Sequence, residues 1–438
     1  MQNIRLLIYA FIFLVAPYVL RAQAQADPVQ VPVSLNGFLA GVTKGNLEFI
    51  ANRFNVSVAE AELKAARVFA DPEVAIEYSN NEDWSLQLGQ SLSAAVSYPF
   101  SLGNKRGASI GVAQTRMELE QYLLEAWLQD LRADASLAWH ECLRDLQVYR
   151  LEEDTYQRLL ELARADSLRF INGDISEIDA LRTRLEARSR LYELKRLGSE
   201  LTNTLLNLSR LQGRLPGDTL FVPSGELSLP GDTLSVRSGE FPVLREPLVL
   251  DDLTRRALEH RADLNAAIKA GELSERELRL LKAERAPEFS LEASYTHNTI
   301  SMNDIAPVPE HQSYAAGVAI PLKFSNLNKG AIMAASLAAE QSKTIRQDVE
   351  NQIITEVTQA YNVYAVIDKQ IENYSSDLIE SAERILEGRT FLYQRGETSL
   401  IDVLEAQRTY NEMKMQYYQI MFDYASAIIE LRRSQAIE

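Results

Sequence analysis

The sequence predicts a mainly α-helical chain with a membrane β-barrel part, in which a β-hairpin and a long α-helical hairpin occur twice. Three observations predict it. Short segments of the first half recur in order in the second, four segments alternate apolar and polar residues, and long runs beyond them contain no glycine or proline.

The recurrence sets the organisation. Residues 72–79 read PEVAIEYS and 287–294 read PEFSLEAS; 98–107 read YPFSLGNKRG and 320–330 read IPLKFSNLNKG; 170–181 read FINGDISEIDAL and 393–404 read YQRGETSLIDVL. The offsets are 215, 222 to 223, and 223, and the main length change is a loop between Thr296 and His311 that is longer than its partner near Asn80–Asp83. Ordered matches at nearly constant offset are the mark of an internal duplication, here of about 180 residues. It divides the chain into residues 1–26, a first repeat over 27–212, a connecting stretch over 213–250 and a second repeat over 251–438.

Residues 1–26 hold a short basic start with Arg5, an apolar run from Leu6 to Leu20 and an A-x-A site ending at Ala24 or Ala26. This is the pattern of a cleaved secretory signal, and a run of 15 residues is short of the roughly 20 that span a bilayer. No run of 18 apolar residues follows, so any membrane crossing must be made by closed β-strands.

Each repeat is expected to open with helix (about 36–70 and 251–285), continue with two strands (about 73–100 and 288–322) and end in a helical hairpin (107–212 and 330–438). In 73–79, Val74, Ile76 and Tyr78 interleave with Glu73, Glu77 and Ser79; over 84–98 the even positions run from Trp84 through Leu86, Leu88, Leu92 and Val96 to Tyr98. Phe289, Leu291 and Tyr295 alternate with polar residues, as do Tyr314, Val318, Ile320 and Leu322. Period 2 gives a sheet with one apolar face. Each strand pair stands alone before a long helix, with no second sheet to cover that face. Trp84, Tyr98, Phe100, Tyr295 and Tyr314 sit toward strand ends, as in the aromatic girdles of membrane barrels.

From Val112 to Asn172 there are 61 residues without a breaker, and from Ala331 to Glu387 there are 57. The longer run would reach about 90 Å as a helix. Seven-residue spacing joins Val403, Tyr410, Tyr417, Tyr424 and Leu431, with Ala406, Met413, Ile420 and Ala427 beside them. It also joins Val357, Tyr364, Ile371, Leu378 and Ile385, and these are expected coiled-coil seams. Gly173 and Gly396 mark the hairpin tips. The connecting stretch has its own repeat, LPGDTLxVxSGE at 215–226 and 229–240, and reads as a linker with brief strands.

Composition narrows the function. The formal net charge is −16; removal of residues 1–26, which carry Arg5 and Arg21 and no acid, makes it −18. Such a surface repels phosphate backbones, so no nucleic-acid partner is expected. One cysteine, Cys142, and four scattered histidines give no disulfide and no metal-ligand motif, and no cofactor is expected. His140 and Cys142, within a long helix, read as packing or surface residues. Gly107-Ala-Ser109-Ile-Gly111 fits G-x-S-x-G, but the duplicate Gly330-Ala-Ile-Met-Ala334 has no serine and no Asp/His partners stand out, so an enzyme is not expected.

Together, the signal, the duplicated halves and the tip motif resemble the TolC family of outer-membrane efflux channels, over residues of about 36 to 435. The most specific match is Y-x-x-G-x-x-S-x-x-D-V-L-E at Tyr393, Gly396, Ser399, Asp402, Val403, Leu404 and Glu405, with Phe170, Gly173, Ser176 and Asp179 as its counterpart. Leu102-Gly-Asn-Lys-Arg106 is similar to a segment of CzcC-like, heavy-metal-efflux members. The resemblance implies a homotrimer with a twelve-stranded barrel in the outer membrane and a twelve-helix tunnel through the periplasm. It also implies a periplasmic adaptor and an inner-membrane pump, of the RND type, as partners. Asp402 and Glu405 would form acidic rings at the tunnel constriction, or else cap and solubilise the tip. Asp179 and Tyr393 match positions that hydrogen-bond between neighbouring hairpins to hold the entrance shut. The family's gate also uses an arginine two residues after the tip glycine, where this chain has Thr398. Two other functions stay in view: a type I protein secretion duct within the family, and a soluble periplasmic coiled-coil adaptor or scaffold outside it.

Overall fold

The computed structural model describes residues 30–81, 87–215, 220–223, 248–321, 327–373 and 376–436. The expected signal segment, most of the 213–250 stretch, Trp84 and Leu322 lie outside them. In chain order come β1 (Gln30–Val33), α1 (Leu35–Gly45), α2 (Leu47–Ala66), β2 (Glu73–Asn80) and β3 (Gln90–Ser101). Helices α3 (Lys105–Asn172) and α4 (Glu177–Leu211) follow, then β4 (Leu220–Pro223), α5 (Leu250–His260), α6 (Ala262–Ala283), β5 (Glu288–Asn298) and β6 (His311–Ala319). The chain ends with α7 (Lys329–Asn373), α8 (Ser376–Gln394) and α9 (Leu400–Gln435).

Two compact units share these elements. One holds Ala51–Ala126 and His260–Ile353, including the large sheet; the other holds the hairpin tips and the rest. The single helix expected at the head of each repeat is interrupted. Asn46 (φ −62°, ψ 117°) and Arg261 (φ −66°, ψ 127°) are both extended, at the same 215-residue offset as the strands that follow. Asn46 serves the break directly: its Oδ1 accepts from Phe49 N at 2.9 Å and its Nδ2 donates to Leu211 O at 3.0 Å. A buried amide that restarts one helix and satisfies the end of another leaves few orphan groups.

The two strand pairs form one antiparallel sheet of order β2-β3-β5-β6, joined by β3 against β5 from Ser91↔Asn298 to Ser101↔Glu288. A second, parallel pair joins β1 to β4, so the first copy of the linker repeat does contribute a short strand. Of the strand expected from 84, residues 84–86 lie outside the described residues and β3 begins at Gln90, just before which Asn81 N donates to Gly89 O and Leu88 N to Asn81 O. Leu88 thus lies outside β3 although it fits the alternation.

Among the described helices, none is long and apolar enough to cross a membrane. The seam expected on α9 is buried at Val403, Tyr410, Tyr424 and Leu431. On α7 and α8 it is buried at Val357 and Tyr364, but Leu378 and Ile385 are exposed and Ala382 and Leu386 are buried in their place. A strict seven-residue line drifts by about 20° per heptad on a straight α-helix, which moves the buried stripe off it after a few heptads.

Candidate functional site: one sheet face and two hairpin tips

Register sorts the sheet into two faces. Val74 lies opposite Val96, Ile76 opposite Ala94 and Tyr78 opposite Leu92; Ala94 lies opposite Tyr295, Tyr98 opposite Leu291 and Phe100 opposite Phe289; Leu291 lies opposite Val318 and Tyr295 opposite Tyr314. All of these share one face, because paired residues of neighbouring strands point the same way. The other face carries Glu77, Ser91, Ser93, Ser97, Glu292, Thr296 and Ser313. The apolar face is open within one chain: Ile76 is 75% exposed and Tyr314 78%. Aromatic rings gather at both ends of it. Phe100 stacks on Phe289 (5.2 Å) and meets Tyr98 edge-on (4.9 Å) near the helices, while Tyr295 and Tyr314 (5.3 Å) lie toward the loops.

The tips follow one plan in both repeats. Gly173 (φ +83°) and Gly396 (φ +79°) end α3 and α8 in the left-handed region. Gly173 N donates to Phe170 O and Asp174 N to Arg169 O; Gly396 N donates to Tyr393 O and Glu397 N to Leu392 O. This pair of bonds is the Schellman termination. Three residues after each glycine, Ser176 and Ser399 cap the returning helix, their Oγ accepting from Asp179 N and Asp402 N. The carboxylates reach back: Ser176 Oγ donates to Asp179 Oδ2 (2.7 Å), and Asp402 Oδ2 accepts from Ser399 Oγ (2.7 Å), Ser399 N (3.1 Å) and Thr398 Oγ1 (2.7 Å). The G-x-x-S-x-x-D spacing is therefore a stop, a turn and a start. The Ser399 hydroxyl, then Thr398 and the Ser399 amide, hold the Asp402 carboxyl down at about 2. Asp402 is thus ionised as well as capping. Glu405, one turn on, is exposed.

Tyr393 is buried among Leu400, Val403, Leu162 and Leu404. Within the chain its hydroxyl donates to Asp166 Oδ2 at 3.0 Å, while Asp179 serves the cap of its own helix. Burial first, then the Asp166 charge, push the Tyr393 phenol up, so it stays a donor. Asp166 escaped the sequence reading; the only local trace of it is Arg169 three residues on, one helical turn away. Above the tips, Thr155 of α3 meets Asn411 and Gln407 of α9 in a buried network, with Asn411 Nδ2 to Thr155 Oγ1 at 3.1 Å and Gln407 Nε2 to Asn411 Oδ1 at 2.9 Å.

Cys142 and His140 are packing residues. Burial pushes the thiol up to about 12 and lowers the imidazole, whose Nδ1 lies 2.7 Å from Ser136 O. Ser109 of the G-x-S-x-G segment sits inside α3 rather than on a strand-to-helix elbow.

The family model for outer membrane efflux proteins matches residues 253–435. The match takes in nearly all of the second repeat. In sequence it is 24% identical over 391 residues to the cobalt-zinc-cadmium resistance protein CzcC of Cupriavidus metallidurans, covering 89% of this chain and 87% of that one. In fold it is similar to the outer membrane channel CmeC of Campylobacter jejuni, with a TM-score of 0.73 at 16% identity, over 92% of this chain and 85% of that one. It is also similar to the open state of the MtrE outer membrane channel of Neisseria gonorrhoeae, with a TM-score of 0.70 at 15% identity, over 92% and 89% of the two chains. The second repeat thus carries the likeness to outer membrane efflux proteins, and the chain as a whole shares the fold of solved outer-membrane channels.

Proposed function

We propose that three copies of this chain close a twelve-stranded barrel in the outer membrane and a twelve-helix tunnel beneath it. The passive conduit so formed is fed by a periplasmic adaptor and an RND-type inner-membrane pump. The observation that carries this is the open apolar face of the β2-β3-β5-β6 sheet. Burying a Val, Leu, Ile or Phe side chain is worth about 1.5–3 kcal/mol, so a face of this size needs a cover. Lipid fits, with aromatic rings at both ends and serines with Glu77 and Glu292 on the opposite, lumenal face. Among the described residues, edge strands β2 and β6 each have a free side, and pairing between copies would remove both.

The hairpin tips would meet around the threefold axis. Asp402 and Glu405 then recur three times as acidic rings that favour cations, a recurrent pore device. The entrance is held shut around Tyr393, with Asp179 at the same level, and Gly173 and Gly396 shape the turns. The substrate is chosen by the pump, and a protein secretion duct differs only in that partner. Planar-bilayer recording tests the reading: Tyr393→Phe should raise the open fraction of the channel, and an unchanged trace would remove Tyr393 from the entrance.

A further inference from the structure

Asp166 lies on α3, two turns before the tip, and is fully buried. Its Oδ2 accepts from Thr183 Oγ1 of α4 at 2.6 Å and from the Tyr393 hydroxyl of α8 at 3.0 Å. Arg169 Nη1 stands 3.6 Å from Oδ1, and the same guanidinium lies over the Tyr393 ring, 5.2 Å from its centroid. Oδ1 receives no hydrogen bond among the described residues. A carboxylate taken wholly out of water is costly unless donors and a cation surround it, so three elements are organised around this one group.

The cluster departs from the duplication. At the 223-residue offset, Asp166 corresponds to Arg389, Arg169 to Leu392, Thr183 to Ala406, and Tyr393 to Phe170. The first repeat supplies the acceptor, the second donor and the cation, and the second repeat supplies the phenol. None of the four is mirrored. A set kept only to fill the tip would be served by the leucine, alanine and phenylalanine of the mirror positions. Asp179 meanwhile is committed to the Ser176 cap, and the position that would carry a tip arginine is Thr398, bonded to Asp402.

From this we infer that Asp166 and Arg169 form the latch of the entrance. The carboxylate holds Tyr393 and with it the α8–α9 hairpin against the α3–α4 hairpin of the same chain, with Thr183 and Arg169 fixing its position. Asp166 takes the place of Asp179 as the partner of Tyr393, and Arg169 supplies the charge that Thr398 lacks. The inference rests on the entrance reading of Tyr393 given above, and names the groups that hold it.

Single-channel recording of the full-length trimer in planar bilayers tests both, with trimer yield on unheated gels as the folding control. Asp166→Asn and Tyr393→Phe should each shift the open–closed ratio by about tenfold, the scale of one lost hydrogen bond to a charged group, and the double variant should shift it no further. Arg169→Gln, at a partly exposed side chain, should raise the ratio too, and it serves if Asp166→Asn fails to assemble. Asp179→Ala should leave the ratio unchanged. If Tyr393→Phe and Asp179→Ala open the channel while Asp166→Asn and Arg169→Gln do not, the latch is overturned and the entrance reading stands. If Tyr393→Phe has no effect, the entrance reading falls and the latch with it. A change in trimer melting without any change in the open fraction would reduce Asp166 to packing and also overturn the latch.

Discussion

At position 396 the backbone turns with φ of +79° and open space where a Cβ would sit, so it is conformation rather than crowding that calls for glycine. Gly396→Ala should therefore cost about 1–2 kcal/mol, the penalty of a left-handed L-residue. Gly388→Ala, inside α8 and equally uncrowded, should stabilise by up to about 1 kcal/mol through helix propensity. Thermal melting followed by circular dichroism separates the two. Asp402 gives a pH signature. Its carboxyl is held at about 2 against an ordinary 3.8, so its contribution is complete above the ordinary value and is lost as pH falls through about 2. Asp402→Asn should lower the melting temperature near neutral pH, and the gap to the wild type should close at the acid end. A gap that persists below pH 2 would mean that the charge of Asp402 is not what stabilises the cap. The same residue illustrates what sequence reading can resolve. Ring acid and helix cap looked like alternatives from spacing alone, whereas the hydrogen bonds show the cap and the low pKa keeps the charge that a ring would need.

Elements were legible to the extent that their signal is local. Alternation located β2, β5, β6 and β3 from Gln90 on, while Leu88 keeps the period just outside the strand. The join of β3 to β5 left no such trace: it pairs residues about 200 apart, and either strand pair alone has the same pattern. The interruptions at Asn46 and Arg261 were missed because neither residue is a breaker; only the Asn46 amide, placed to cap, marks the first. Two substitutions test the element-level account. Ile76→Lys, on the apolar face, should sharply reduce the folded protein in the outer-membrane fraction, since a lysine at mid-bilayer costs about 2–4 kcal/mol. Ser93→Lys, on the opposite face, should be tolerated. Equal losses would mean that the apolar face does not meet lipid. Between α3 and α9, Asn411→Ala strands the buried Thr155 and Gln407 and should destabilise by about 1–3 kcal/mol. Thr155→Val with Asn411→Leu and Gln407→Leu should recover much of that loss in the same melting assay.

For the whole molecule, the breaker-poor composition is accounted for by helices of up to 68 residues. Among the described residues, two sheet edges are free and the apolar face is uncovered, so the chain has surfaces that a monomer leaves unsatisfied. Assembly in the membrane satisfies both demands at once, whereas a water-soluble scaffold satisfies neither. The most direct measurement is the ion conductance of the purified, detergent-solubilised protein reconstituted in a planar bilayer. Discrete, cation-preferring conductance steps are the expected result; folded trimers that insert and carry no current, or a protein that stays monomeric and soluble without detergent, would contradict the channel assignment.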